Sequence, residues 1–140
     1  MELKWLSISV AVILIGLIVW MIVSQFKDHY DQKDPKLHQL KRELDSVHPQ
    51  MKHTKLYKGK KSYTINKDRI YLCLHDENGE YYHDNMLKYV LLHEFSHQIN
   101  DDVGHTPKWN KVFQEILDKA EALGLWDRKM DIIKDYCEHN

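Results

Sequence analysis

The chain has 140 residues, with 20 Lys and Arg against 21 Asp and Glu for a formal net charge of -1. That length holds one domain, and the balanced charge excludes a strongly basic nucleic-acid binder and an acidic tail protein, so no nucleic acid is expected as a partner. Five Gly and three Pro exclude a low-complexity chain, and two Cys without CxxC spacing are too few for a disulfide scaffold, which leaves ten His as the unusual count.

Residues 5–26 contain no ionisable side chain and are mostly Ile, Leu, Val, Ala, Met and Trp. About 20 helical residues cross a ~30 Å hydrocarbon core, and Trp5 and Trp20 stand near the two ends, where indole rings favour the interface. The run exceeds the ~7–15 residues of a signal-peptide core, and no A-x-A-like cleavage site follows it. A single-pass membrane anchor over residues 1–26 is therefore expected. Lys27, Lys33, Lys36, Lys41 and Arg42 follow the span, against Lys4 and the α-amino group before it, which favours a cytoplasmic domain. Residues 27–34 read as a charged tether and residues 35–140 as the soluble domain.

In that domain Leu37, Leu40, Leu44 and Val47 recur at helical spacing until Pro49. Residues 58–61 form a basic turn, and residues 62–65 and 70–74 read as strands. Asn78-Gly79 is a tight-turn signal ahead of a short strand or loop at Tyr81 and Tyr82. Asp84 or Asn85 can cap a helix running to about Asn100. Thr106 and Pro107 open the next helix, with Trp109, Phe113, Ile116, Leu117, Ala120 and Leu123 on one face and Gly124 as terminator. A final helix is expected over residues 125–136. The order is that of a small α+β domain.

The first long helix carries His93-Glu94-Phe95-Ser96-His97, an HExxH. Positions i and i+4 lie about 40° apart on a helix, so both imidazoles project from one face toward one ion. Zinc suits neutral imidazoles, and Glu94 stands where it can take a proton from a water on that ion. Random placement of ten His and eight Glu gives roughly 0.04 matches of this pattern. The plainer reading is a pair of structural histidines. The helix is apolar on two sides, however, with Met86, Tyr89, Val90, His93 and His97 opposite Leu87, Leu91, Phe95 and Ile99, and imidazoles on a buried face need partners.

A third ligand is required. The metzincin pattern places a His at position 103, which is Val103 here. Glu115 or Glu121 on the following helix would serve in a thermolysin-like site. His105, eight residues past His97 and preceded by Gly104, is the better candidate, because glycine permits a tight turn back toward the helix. The ligand set expected is His93, His97 and His105 around one catalytic zinc, with Glu94 as general base.

Ile70-Tyr-Leu-Cys-Leu-His75, Leu91-Leu-His-Glu-Phe-Ser-His97 and Gly104-His-Thr-Pro-Lys-Trp109 together resemble the SprT-like/WLM group of small zinc metallopeptidases. The likeness covers residues 61–124, including the aromatic four positions after the third His. It implies a small zincin-like (minimal gluzincin-type) domain, with a short β-sheet and an HExxH active-site helix. It also implies a zinc metalloendopeptidase hydrolysing peptide bonds in a protein or peptide substrate. Thr106 stands where WLM proteins usually carry an acid, and the tail modules of the DNA-repair members are absent, so a crosslink-repair role is not implied.

Residues 70–74 offer a strand for pairing with an extended substrate. Tyr81, Tyr82, His83 and Tyr89 are candidate oxyanion donors, and Asp101, Asp102 and Glu115 candidate supports for the imidazoles. His29, His38, His48, His53, His75 and His139 lack mutual ligand spacing and read as ordinary polar residues. Cys73 reads as buried core and Cys137 as a free thiol. The alternatives to a peptidase are a non-catalytic, zinc-stabilised, membrane-tethered binding module and a non-peptidase zinc amidohydrolase.

Overall fold

A computed structural model of the chain describes residues 2–138, and of residues 27–31 the backbone alone. His139 and the side chain of His29 therefore lie outside the described residues. The chain forms two compact units that divide between Asp31 and Gln32. The first is one apolar helix, α1 (Glu2–Asp31), of which Glu2–Phe26 is long and apolar enough to cross a membrane. Helical backbone continues through residues 27–31, which the sequence assigned to the tether.

The second unit is α+β. Helix α2 (Pro35–Leu44) is capped by Asp34, whose carboxylate accepts from the Lys36 amide at 3.0 Å, with Pro35 at the first position. Leu37, Leu40 and Leu44 point into the core, and two 3₁₀ turns, Asp45–Val47 and Pro49–His53, add Val47 and Met51. Three strands follow: β1 (Lys55–Lys58), β2 (Tyr63–Ile65) and β3 (Arg69–Leu72). The order across the sheet is β1-β3-β2, with β1 parallel and β2 antiparallel to β3. Strands β2 and β3 fall on the expected runs 62–65 and 70–74, the second of them ending at Leu72, and β1 is an additional strand.

Strand alternation sorts the sheet into two faces. Leu56, Ile70 and Leu72 are buried against the helices, while the paired Tyr57, Tyr71 and Tyr63 stack on the other face with ring centres 4.9 and 4.8 Å apart. Asn66 and Lys67, both at positive φ, make the turn from β2 to β3. The Lys67 ammonium donates to the Asn100 carbonyl.

Helices α3 (Asp84–Ile99) and α4 (Pro107–Ala122) complete the core. The α3 cap is His83, whose Nδ1 accepts from the Asn85 amide, rather than Asp84 or Asn85 themselves. One side of α3 packs on the sheet and another on α4, with Phe95, Leu87, Leu91 and Leu92 fully buried. Thr106 caps α4 as expected, and Gly124, at φ 73°, ends it.

Two expectations fail beyond α4. Residues 125–136 contain no helix, only turns, bends and irregular backbone. Cys137 is no free thiol: it is disulfide-bonded to Cys73, 64 residues earlier, with Cα atoms 6.3 Å apart. One fact explains both. The segment is held by distant partners instead of its own i→i−4 bonds. Asn85 exchanges two hydrogen bonds with the Asp127 backbone, and Tyr136 donates to the Cys73 carbonyl and meets the Ser62 hydroxyl at 2.8 Å.

Candidate metal centre

Helical spacing and one glycine build the site. His93 and His97 lie one turn apart on α3, and α3 ends at Asn100. The chain reverses through residues 101–104, where Gly104 takes φ 82°, open to glycine at little cost and strained for other residues. His105 then returns over α3. Its Nε2 lies 3.2 Å from His93 Nε2 and 3.1 Å from His97 Nε2. Among the described residues these three form one group of ligating side chains, with all donor atoms within 4.8 Å.

The fit to a metal can be tested on this spacing. Zinc–imidazole bonds of ~2.0–2.1 Å at tetrahedral angles separate nitrogens by roughly 3.3 Å. The spacing of His105 from the other two is close to that value. Burial, then the nearby His97 and His105, lowers the His93 pKa to about 4, and burial lowers that of His97 with help from His105 and Lys67. At neutral pH both imidazoles are therefore uncharged and carry a free lone pair, the state a metal needs. The residues fit a zinc ion.

Trp109 makes the floor. Its ring is buried, lies 4.6 Å from that of His97 at 19°, and stands 4.9 and 4.5 Å from those of His93 and His105. Phe113, one turn on, backs both Trp109 and His93. Such packing restricts the imidazole rotamers. The aromatic four residues after His105 is thus a wall of the cluster.

Glu94 points toward the sheet. The Thr64 hydroxyl on β2 lies 2.8 Å from Glu94 Oε2 and 3.0 Å from the Glu94 carbonyl. Burial raises the Glu94 pKa, opposed by the Thr64 hydrogen bond and the His105 charge. A carboxylate so placed is more basic than one in water and held in one orientation. Two clefts meet at Glu94. One, of about 390 Å³, runs past His93 and Tyr136. The other, of about 270 Å³, runs past His97, Thr64 and Lys67.

The remaining sequence candidates divide cleanly. Glu115 lies on the exposed side of α4 near Lys111, and Glu121 is engaged with Arg128, so neither joins the cluster. Asp102 accepts from Thr106 at 2.8 Å and fixes the loop instead of an imidazole. Tyr81 donates to Asp34, Tyr82 accepts from the Cys137 amide, and His83 caps α3. Tyr89 alone of the four oxyanion candidates lines a cleft at the site, while its ring packs on Phe113 and Trp126. The strand offered for substrate pairing is corrected: β3 is central and paired on both sides, and the strand that touches Glu94 is the edge strand β2. Sequence reading missed Thr64, Ser62 and Tyr136, none of which stands at a recognisable spacing from the HExxH.

No family model matches the chain, and no solved structure matches it. It is 44% identical over 90 residues to uncharacterized protein 136R of Invertebrate iridescent virus 6, covering 62% of this chain and 51% of that protein. It is 39% identical over 84 residues to uncharacterized protein 042R of Invertebrate iridescent virus 3, covering 59% of this chain and 53% of that protein. The chain spans about half the length of these curated relatives.

Proposed function

We propose that the chain is a membrane-anchored zinc metalloendopeptidase of zincin-like fold, similar to the SprT-like/WLM group. The observation that carries this reading is the pairing of functions on one turn of α3: imidazoles gathered on one side, and next to them a carboxylate held by Thr64. A purely structural metal site needs no such carboxylate and commonly closes its fourth position with a further side chain.

His93, His97 and His105 would hold the ion. Bound zinc supplies Lewis acidity, which lowers the pKa of water and polarises a carbonyl. Glu94 takes the proton from the attacking water and delivers it to the leaving amine nitrogen. The Thr64 hydroxyl keeps one carboxylate oxygen occupied and leaves the other to face the reaction. β2, paired with β3 along one edge, offers its other edge to an extended peptide, which would run across Glu94 from one cleft to the other. Trp109 and Phe113 keep solvent from the inner side of the imidazoles.

The test uses the full chain in detergent micelles or nanodiscs. We expect about one zinc per chain and cleavage of an unfolded protein that chelator abolishes. Glu94→Gln should retain the zinc and lose ~10²–10⁴-fold in turnover. Cleavage unaffected by that substitution would sink the reading.

Helix α1 is read as a single-pass anchor rather than a cleaved signal. Two features then oppose each other on topology. The cations after the span favour a cytoplasmic site, whereas disulfides such as Cys73–Cys137 persist in oxidising surroundings. Labelling an engineered surface cysteine with a membrane-impermeant maleimide, before and after permeabilisation, decides between them.

A further inference from the structure

The disulfide lies between two clefts. Cys137 lines the one that runs past His93, Glu94 and Tyr136. Cys73 lines another, of about 530 Å³, together with the loop Lys58-Gly59-Lys60-Lys61. Among the described residues none of those three lysines has a carboxylate within ion-pair distance. Asp76, the acid in the same cleft, accepts from the Asn78 and Glu80 amides at 2.9 and 3.0 Å. A buried sulfur thus faces a cleft rich in unpaired positive charge. The segment that Cys137 anchors is the least supported part of the domain. Residues 127–135 are exposed without interruption and form neither helix nor strand. Apart from the disulfide, the ties beyond Trp126 are single hydrogen bonds: Asn85 with the Asp127 backbone, the Ile133 amide with the Met86 sulfur, Tyr136 with Ser62 and the Cys73 carbonyl, and the Cys137 amide with the Tyr82 hydroxyl. Water replaces such bonds at little cost, so the covalent bond is what keeps the segment in place.

We propose that the lysine cleft admits a dithiol reductant to Cys73, and that opening the Cys73–Cys137 bond releases residues 127–138 from the cleft at Glu94. A thiolate of the dithiol attacks the Cys73 sulfur. The S–S bond breaks with its electron pair leaving on Cys137, which takes a proton from water. The second thiol of the reductant then displaces Cys73 as a thiolate and closes the reductant's own disulfide. Two electrons pass to the protein, and the two protons that the dithiol gives up balance those gained by the cysteines. The lysines favour both anions, the incoming thiolate and the departing one. Once free, the segment carries Tyr136 away from Ser62 and takes one wall from the cleft that reaches His93 and Glu94. It supplies no member of the imidazole cluster, so the metal ligands stay together. The proposal concerns the shape of that cleft and stands apart from the peptidase reading. On an oxidising side of a membrane the cleft keeps its wall, and on a reducing side it opens.

The experiment uses the full chain in nanodiscs, purified without reductant. It is treated with neutral dithiothreitol or with anionic dimercaptosuccinate, and bond opening is followed by alkylation of the freed thiols and mass spectrometry. Trypsin then reports the segment, which holds Arg128, Lys129 and Lys134, against Lys111 and Lys119 on α4. Opening the bond should speed cutting in the segment at least ~10-fold and leave the α4 sites protected. Cys137→Ser without any reductant should give the same pattern, which separates the effect of the bond from any action of the thiols on bound metal. Replacing both Lys60 and Lys61 by Gln should slow opening by dimercaptosuccinate severalfold and leave opening by dithiothreitol unchanged. Tail cutting that does not respond to opening would overturn the release. So would loss of α4 protection together with the tail, since the bond would then hold the whole domain. Equal dimercaptosuccinate rates for the two chains, or thiols that alkylate before any reductant is added, would overturn the entry of the dithiol at Cys73.

Discussion

Helices α3 and α4 are both sixteen residues long and lie against each other, yet they meet solvent differently. None of the sixteen residues of α3 is exposed, whereas ten of the sixteen in α4 are. The reason is position. α3 is sandwiched between the sheet and α4, so even its histidine face is covered, by Trp109 and Phe113. α4 has one apolar stripe, from Trp109 to Ala120, and a polar face open to water. The contrast teaches how a small domain affords a polar site: imidazoles and a carboxylate are placed on its most buried helix, and a second, ordinary amphipathic helix insulates them.

Breaking the contrast should be most damaging on α3. Phe95→Ala removes a fully buried ring from the side away from the histidines, and should cost about 3–5 kcal/mol in urea denaturation. Zinc stoichiometry at low temperature should survive. The complementary change, His97→Ala, should weaken zinc at least ~100-fold in chelator competition while leaving most of the packing intact, because an outer-shell change alone costs ~10–100-fold. Similar zinc affinities for these two variants would remove the distinction between packing face and metal face.

Acid probes the same buried face more gently. In the unfolded chain His93 titrates near 6.5 and in the folded, metal-free protein near 4. Above about pH 6.5 both states are neutral and nothing is lost. Between about 6.5 and 4 the unfolded chain binds a proton that the folded one excludes, so stability falls as pH falls. Below about 4 both are protonated and the loss stops growing. Urea midpoints of metal-free protein at pH 7.5, 6 and 5 should decline, and His93→Gln should flatten the decline.

On α4 the effects shrink. Thr106→Ala removes the cap to the Trp109 amide and should cost ~1 kcal/mol in thermal unfolding. Glu115→Ala on the exposed face, 3.9 Å from Lys111, should change stability by less than ~0.5 kcal/mol. A large effect there would mean that the polar face of α4 is covered by something else.

Legibility in the sequence follows the same contrast. α4 was readable from its stripe, its Thr-Pro start and its Gly stop, because all three signals are local. The three imidazoles were readable because i, i+4 spacing and a glycine before His105 are local too. β1 escaped notice because Lys-Leu-Tyr-Lys is short and buries two consecutive residues, so it shows no alternation. The tail was misread as a helix because its turns depend on Asn85, Ser62 and Cys73, residues far away in sequence. Thr64 was invisible for the same reason: its meeting with Glu94 spans thirty residues.

The bond between Cys73 and Cys137 also closes residues 73–137 into a covalent loop, and His93, Glu94, His97 and His105 all fall inside it. A single cut in the exposed turn after α3 therefore opens the loop without releasing a piece. On a gel run without reductant, a nicked molecule and an intact one carry the same mass and differ only in shape. A cut in that turn gives two separate fragments only after reduction, when the bond that holds them together is broken.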